Sequence, residues 1–128
     1  MKKLIIDIDN TLTIPNSGKY GSEDVDKEIV ERMQWYHSKG FKIVLFTARN
    51  MRTYEGAVGL INKHTLPIIL NWLDDNNIYY DEIIVGKPWC GDQGFYVDDR
   101  AIRPSEFNSL SFEEITTILE NEKNRFNF

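Results

Sequence analysis

The stretch KKLIIDIDNTLTIP, residues 2–15, joins a short apolar run to two carboxylates, Asp7 and Asp9, that are one residue apart. The Leu and Ile residues are typical of a strand buried on both faces. A buried strand disfavours acidic side chains. The two acids therefore indicate a site that needs negative charge at the carboxyl end of a strand.

Length and composition favour one folded domain. The chain has 128 residues, and we predict a single domain over 1–128. Its 41% hydrophobic content argues against disorder. We expect no membrane partner, because no apolar run approaches a span of about 20 residues and no signal-peptide segment is visible.

Charge and cysteine content argue against some kinds of site and partner. Cys90 is the single cysteine, so a disulfide framework and a multi-cysteine zinc site are not expected, and a reducing cytoplasm fits best. The net charge is −5 and Lys and Arg form no cluster, which argues against a nucleic-acid partner.

Apolar and amphipathic patterns alternate along the chain. Apolar runs predict strands at 3–8, 41–46, 80–86 and 94–99. Helical spacing predicts helices at 22–40, 65–77 and 111–126, and two glycines leave 50–64 ambiguous. This order predicts an α/β fold with a mostly parallel sheet and helices on both faces.

Helix-start signals accompany two of these helices. Thr65 is the predicted N-cap of the 65–77 helix, with Pro67 in its first turn. Ser111 and Glu114 form a capping-box pattern before the last helix.

Polar residues follow all of the predicted strands, where an open parallel sheet binds ligands. They are Asp7 and Asp9, then Thr47 and Arg49, then Lys87, and last Asp98, Asp99 and Arg100. Each group alone is compatible with a turn, a helix cap or a surface ion pair. Together, four acids converging on one crevice would repel one another without a cation, and Mg²⁺ prefers such oxygen ligands. A divalent ion beside a lysine and a hydroxyl suits a phosphoryl group.

Four short motifs occur in order, each after a predicted strand: DIDNT (7–11), FTAR (46–49), GKP (86–88) and YVDDR (96–100). In these residues the chain resembles the haloacid dehalogenase (HAD) superfamily. The small size and residues 86–104 resemble the capsule and polysaccharide biosynthesis phosphatases within it. The resemblance implies a Rossmann-like three-layer sandwich.

The resemblance also implies roles for the motif residues. Asp7 would be the nucleophile and Asp9 the general acid and base. Thr47 and Lys87 would bind the phosphoryl group. Mg²⁺ would be held by Asp7, by the backbone carbonyl of Asp9, and by one or both carboxylates of the pair Asp98 and Asp99. Dehalogenation is not favoured, because the dehalogenases lack the second acid.

Residues around the motifs are open to more than one interpretation. Arg49 and Arg100 either bind a second substrate anion or hold the acids by salt bridges. Trp89 is a candidate for lining the substrate pocket, although core or interface packing is the commoner role. Asn10 stands where many relatives have Gly, and Asn tolerates left-handed backbone.

The segments 13–46 and 50–85 leave no room for a full cap domain. The loop 13–21 is a candidate flap over the site, and a neighbouring subunit is the alternative lid, which would make the protein a homo-oligomer. The leading hypothesis is a Mg²⁺-dependent phosphomonoesterase acting on a small phosphorylated metabolite, a sugar phosphate above all. A phosphatase for nucleic-acid ends and a catalytically idle binding or assembly module are the alternatives.

Overall fold

A central strand organises the main sheet of the protein. The structure is a computed structural model that describes residues 1–15, 18 and 21–126. In it, Ile43, Val44 and Leu45 of this strand are all buried. Because successive side chains point to opposite faces of a strand, both faces of the central strand are covered.

The helices and strands follow the alternation that the sequence predicts at most positions. The strands are β1 (Lys3–Ile6), β2 (Thr13–Ile14), β3 (Asp24–Val25), β4 (Lys42–Thr47) and β5 (Glu82–Val85). The helices are α1 (Lys27–Ser38), α2 (Val58–Leu60), α3 (Leu66–Asp75), α4 (Pro104–Ser109) and α5 (Phe112–Lys123), with a π-helical turn at Ile61–Thr65 and a 3₁₀ turn at Asn124–Phe126.

The main sheet is parallel, in the order β1-β4-β5. Ile6 is paired with Leu45, and Thr47 with Val85, so the carboxyl ends of the three strands meet at one edge. We call residues 7–9, 47–49 and 86–87 the carboxyl edge. The α/β class and the parallel sheet are confirmed.

The first helix begins later than predicted. The sequence predicted a helix over 22–40, but α1 spans Lys27–Ser38. Asp26 is its N-cap and accepts the backbone N–H groups of Glu28 and Ile29. The preceding residues instead form β3, which pairs antiparallel with β2. Acidic residues at 23 and 24 suited a helix start equally well, so the pattern did not reveal the pairing.

The N-cap predicted at Thr65 is wrong. Helical structure is already established at Val58, and Thr65 has helical φ and ψ with no side-chain cap bond. Its hydroxyl donates to Asn50 Oδ1 at 2.6 Å. Pro67 has no N–H to give to the carbonyl one α-helical turn earlier, and the adjacent π turn, closed by Leu66 N–H on the Ile61 carbonyl, accommodates it.

The strand predicted at 94–99 is wrong, since residues 94–98 form no regular element and Asp99 lies in a turn. The side chains of Phe95 and Val97 are 79% and 87% exposed, so the apolar burial that stabilises a strand is missing. Gly94 packs its backbone so closely on Cys90 that a Cβ would lie 2.0 Å from the Cys90 carbonyl oxygen. Asp98 Oδ1 accepts the Arg100 N–H at 2.8 Å, which closes a turn.

The last helix confirms the capping-box prediction. Ser111 Oγ accepts the Glu114 N–H at 3.1 Å, and Glu114 Oε1 accepts the Ser111 N–H at 3.0 Å. Helix α5 ends at Lys123 and continues as the short 3₁₀ turn. The sequence did not predict α4.

The chain divides into two compact units, Met1–Trp89 and Cys90–Phe128. The single domain over 1–128 stays a prediction. The proposed flap at 13–21 lies partly outside the described residues, which omit 16, 17, 19 and 20. Across the part of the chain that the structure describes, no helix is long and apolar enough to cross a membrane.

Candidate active site

A tight turn after β1 presents the first two acids. Ile8 is fully buried, and its carbonyl accepts the N–H groups of Thr11, Leu12 and Thr13 at 3.2, 2.9 and 3.1 Å. Asn10 has φ 61°, which confirms the predicted tolerance of left-handed backbone at this position. The turn anchors Ile8 in the core and leaves the flanking side chains of Asp7 and Asp9 partly exposed.

Asp7 lies beside a cation and a hydroxyl. Its Oδ1 is 3.6 Å from Lys87 Nζ, and its Oδ2 accepts the Thr11 hydroxyl at 3.3 Å. Burial raises the pKa of Asp7 above its ordinary value, although the Lys87 ammonium opposes that rise. Lys87 lies two residues after the end of β5. The parallel sheet therefore brings together Asp7 and Lys87, which are 80 positions apart in the sequence.

Asp9 is held by Arg49. Arg49 Nε lies 3.1 Å from Asp9 Oδ1 and 3.2 Å from Oδ2, and Nη2 also donates to Oδ1. The Arg49 side chain is 1% exposed and the Asp9 side chain 36% exposed. The same Nη2 also lies 3.9 Å from Glu23 Oε1. Of the two alternatives for Arg49, the structure shows the salt bridge to an acid, and substrate binding by Arg49 stays a prediction.

Thr47 joins the end of β4 to the segment that follows it and to the segment after β5. Its hydroxyl accepts the Arg49 N–H at 3.0 Å, and its carbonyl accepts the Lys87 N–H at 3.1 Å. The side chain is almost completely buried. The hydroxyl keeps its own proton for a further acceptor, such as a phosphoryl oxygen.

The structure thus joins Asp7, Asp9, Thr47, Arg49 and Lys87 in one connected group of contacts at the carboxyl edge. Sequence reasoning missed two members. Thr11 stands inside the first motif, four residues after Asp7, and its spacing was the available signal. Glu23 was assigned to a helix start, and no local pattern linked it to Arg49.

The remaining predicted site residues are placed differently. Trp89 is 47% exposed at the end of the first unit. Asp98, Asp99 and Arg100 are exposed and belong to the second unit. Within each unit, the described residues form no group of three or more His, Cys, Asp or Glu side chains that could hold a metal ion.

The carboxyl edge combines the groups needed for transfer of an anionic group. One carboxylate stands beside an ammonium that can neutralise an incoming anion. A second, partly exposed carboxylate is fixed by a buried guanidinium. A carboxylate is chemically able to act as a nucleophile or to carry a proton.

A solved structure supplies the comparison with a known protein. The chain is 58% identical to the Vibrio cholerae protein described as an MCSG target, with a TM-score of 0.93 over 95% of this chain and 99% of the other. The chain belongs to the same protein family as this Vibrio cholerae protein. Identity at this level over nearly the whole of both chains extends the α/β architecture to both members. The family-model scan found no match. The search of curated proteins found none either.

Proposed function

We propose that this chain is a Mg²⁺-dependent phosphomonoesterase of the HAD superfamily that works through an aspartyl-phosphate. The observation that carries the proposal is the carboxyl edge, where Asp7 contacts Lys87 and Asp9 contacts Arg49. The order of the four motifs and the parallel sheet support the more specific proposal that the α/β fold is HAD-like.

The contacts of Asp7 and Asp9 favour a two-step reaction. In the first step an Asp7 carboxylate oxygen attacks phosphorus, the bond from phosphorus to the alcohol oxygen breaks, and Asp9 gives that oxygen a proton. In the second step Asp9 takes a proton from water, and the water oxygen attacks phosphorus. The aspartyl–phosphorus bond then breaks, inorganic phosphate leaves and Asp7 is regenerated.

Charge repulsion explains the need for cations in this reaction. Two like unit charges about 4 Å apart cost roughly 4 kcal/mol at an effective dielectric near 20. Lys87, 3.6 Å from the Asp7 carboxylate, offsets part of this repulsion. Thr47 contributes a hydroxyl donor at the neighbouring strand end.

The proposed metal-ligating atoms in the motifs fit Mg²⁺, since all of them are oxygen atoms. The Asp7 carboxylate, which is partly exposed at the carboxyl edge, and the Asp9 backbone carbonyl would hold the ion in the first unit. That one or both of Asp98 and Asp99 supply a further carboxylate stays a prediction from the motif resemblance. When bound, the ion would neutralise charge on the phosphoryl oxygens.

We propose a small phosphorylated metabolite, a sugar phosphate above all, as the substrate. The chain lacks the length for a full cap domain between its motifs, so the site would be covered by loop 13–21 or by a second subunit. The net charge of −5 argues against nucleic-acid ends. An idle binding module is disfavoured because all of the expected catalytic residues are present.

Phosphate release from a panel of sugar phosphates, with Mg²⁺ and with chelator, tests the proposal. We expect turnover of one or a few sugar phosphates that chelation removes. A folded protein that releases phosphate from none of them would contradict the proposed small-molecule activity. Nucleotide-ended oligomers in the same panel would identify the macromolecular alternative, and gel filtration at micromolar concentration tests the homo-oligomer.

A further inference from the structure

The contacts of Asp9 hold its two carboxylate oxygens unequally. Oδ1 accepts from both Nε and Nη2 of Arg49, whereas Oδ2 accepts from Nε at 3.2 Å. A planar guanidinium with two donors on one oxygen fixes both the position and the plane of the carboxyl group. The Asp9 side chain nevertheless remains 36% exposed, and Oδ2 accepts fewer hydrogen bonds from Arg49 than Oδ1 does.

Arg49 is itself restrained by a backbone hydrogen bond, by burial and by a second carboxylate. Its backbone N–H donates to the Thr47 hydroxyl, its side chain is 1% exposed, and Glu23 Oε1 lies 3.9 Å from Nη2. A buried arginine has little freedom to follow a substrate, and its charge is already shared between two carboxylates.

Glu23 has its own anchors. Its backbone carbonyl accepts the indole N–H of the buried Trp72 at 2.8 Å, and its Oε2 accepts the Gly21 N–H at 2.9 Å. Glu23 directly precedes β3, which pairs with β2. The row Glu23–Arg49–Asp9 therefore links the β2–β3 ribbon to the second acid of the first motif.

We infer that Arg49, backed by Glu23, is a positioning residue for Asp9: it holds Oδ1, so that Oδ2 is the oxygen that gives and takes the proton. The inference rests on the proposed phosphatase function and deepens it. Arg49 acts through Asp9 and does not bind the phosphoryl group in this account.

The inference predicts that the loss of kcat/KM in a variant depends on the acidity of the leaving group. Nitrophenolate leaves readily without a proton, whereas phenolate depends more on a general acid, and the two esters have similar shapes. We would measure kcat/KM, which covers departure of the leaving group, for p-nitrophenyl phosphate and phenyl phosphate. The variants are Arg49→Lys, which keeps the charge but loses the planar fork, and Glu23→Gln. The exposed Arg52 supplies the matched control, Arg52→Lys.

Arg49→Lys is expected to lower kcat/KM by about 10- to 100-fold for phenyl phosphate and much less for p-nitrophenyl phosphate. Glu23→Gln should show the same selectivity with a smaller loss, and Arg52→Lys should change neither ester. Circular dichroism confirms folding, and Glu23→Gln decides the question if Arg49→Lys does not fold.

Two other results have distinct meanings. Equal losses on both esters, with Asp7-dependent turnover intact in the parent chain, would overturn the positioning role and leave the proposed function standing. Absence of Asp7-dependent turnover of both aryl esters and of the sugar phosphates would overturn the proposed function and this inference with it.

Discussion

The carboxyl edge of the three-stranded sheet and the segment 94–100 carry similar residue types in different surroundings. At the carboxyl edge the acids follow paired strands and contact partly or fully buried cations. In the segment 94–100 the acids follow exposed aromatic and apolar side chains and lie in a turn. The difference shows that a short apolar run followed by acids becomes an ordered site where strand pairing fixes the backbone.

The largest expected effect concerns the first acid at the carboxyl edge. Asp7→Asn should lower kcat for phosphate release by at least ~10³-fold, because the amide cannot act as the nucleophile. Steady-state phosphate release measures the loss. Asp75→Asn, at an exposed acid of α3, is the matched control and should leave kcat unchanged. A mild effect of Asp7→Asn would remove Asp7 from the nucleophilic role.

Parts of this edge were predictable from the sequence because each depends on local patterns. Apolar runs predict the strands β1, β4 and β5, and motif order places their ends together. The predicted burial of β1 on both faces is wrong, since Ile5 is 66% exposed and, of these three strands, only β4 is covered on both faces. The Arg49–Asp9 contact joins residues 40 positions apart, and no local pattern distinguishes it from substrate binding. The FYV run before Asp98 resembles the run in β4, but whether such a run forms a strand depends on pairing and burial. Those are properties of the folded chain.

Two valines, one in each region, differ greatly in burial. Val44 is 3% exposed in β4, and Val97 is 87% exposed in the segment 94–100. Val44→Thr should lower the free energy of unfolding by about 1–3 kcal/mol, because it buries a hydroxyl. Val97→Thr should change it by less than about 0.5 kcal/mol. Urea unfolding of both variants measures the difference.

The same pair of variants can show whether the segment 94–100 is packed. A loss of more than about 1 kcal/mol from Val97→Thr would show that the segment 94–100 is packed in solution. The predicted fourth strand would then regain support.

Removing a buried hydroxyl beside the carboxyl edge should have a smaller effect on stability. Thr65 is 3% exposed and donates to the Oδ1 of Asn50, the residue after Arg49. Thr65→Val should destabilise the fold by about 1 kcal/mol, since the Asn50 oxygen loses its donor. Thr117→Val, at an exposed threonine of α5 whose hydroxyl donates within its own helix to the Glu113 carbonyl, is the control for the isosteric change. Equal thermal stability of the two variants would mean that water replaces the lost donor.

The smallest change in stability is expected from Asp81, at the opposite end of the sheet. The Ile43 N–H and the Tyr79 hydroxyl donate to Asp81 and lower the pKa of its carboxyl group below 3.8. The ionised form therefore stabilises the fold above that ordinary value, and the contribution is lost as the pH falls through the folded pKa. Asp81→Asn should melt at a lower temperature than the parent at neutral pH, with the gap closing below about pH 4. A gap that widens in acid would reverse the assigned sign.

Trapping the covalent intermediate would show directly whether Asp7 carries the phosphoryl group. The protein would be mixed with a sugar phosphate and Mg²⁺, quenched during turnover and treated with borohydride, which reduces an aspartyl-phosphate to homoserine. Peptide mass analysis then locates the modified residue. We expect homoserine at position 7, formed only when substrate is present. Turnover that leaves Asp7 unmodified, or a label at Asp9, Asp98 or Asp99 instead, would contradict it.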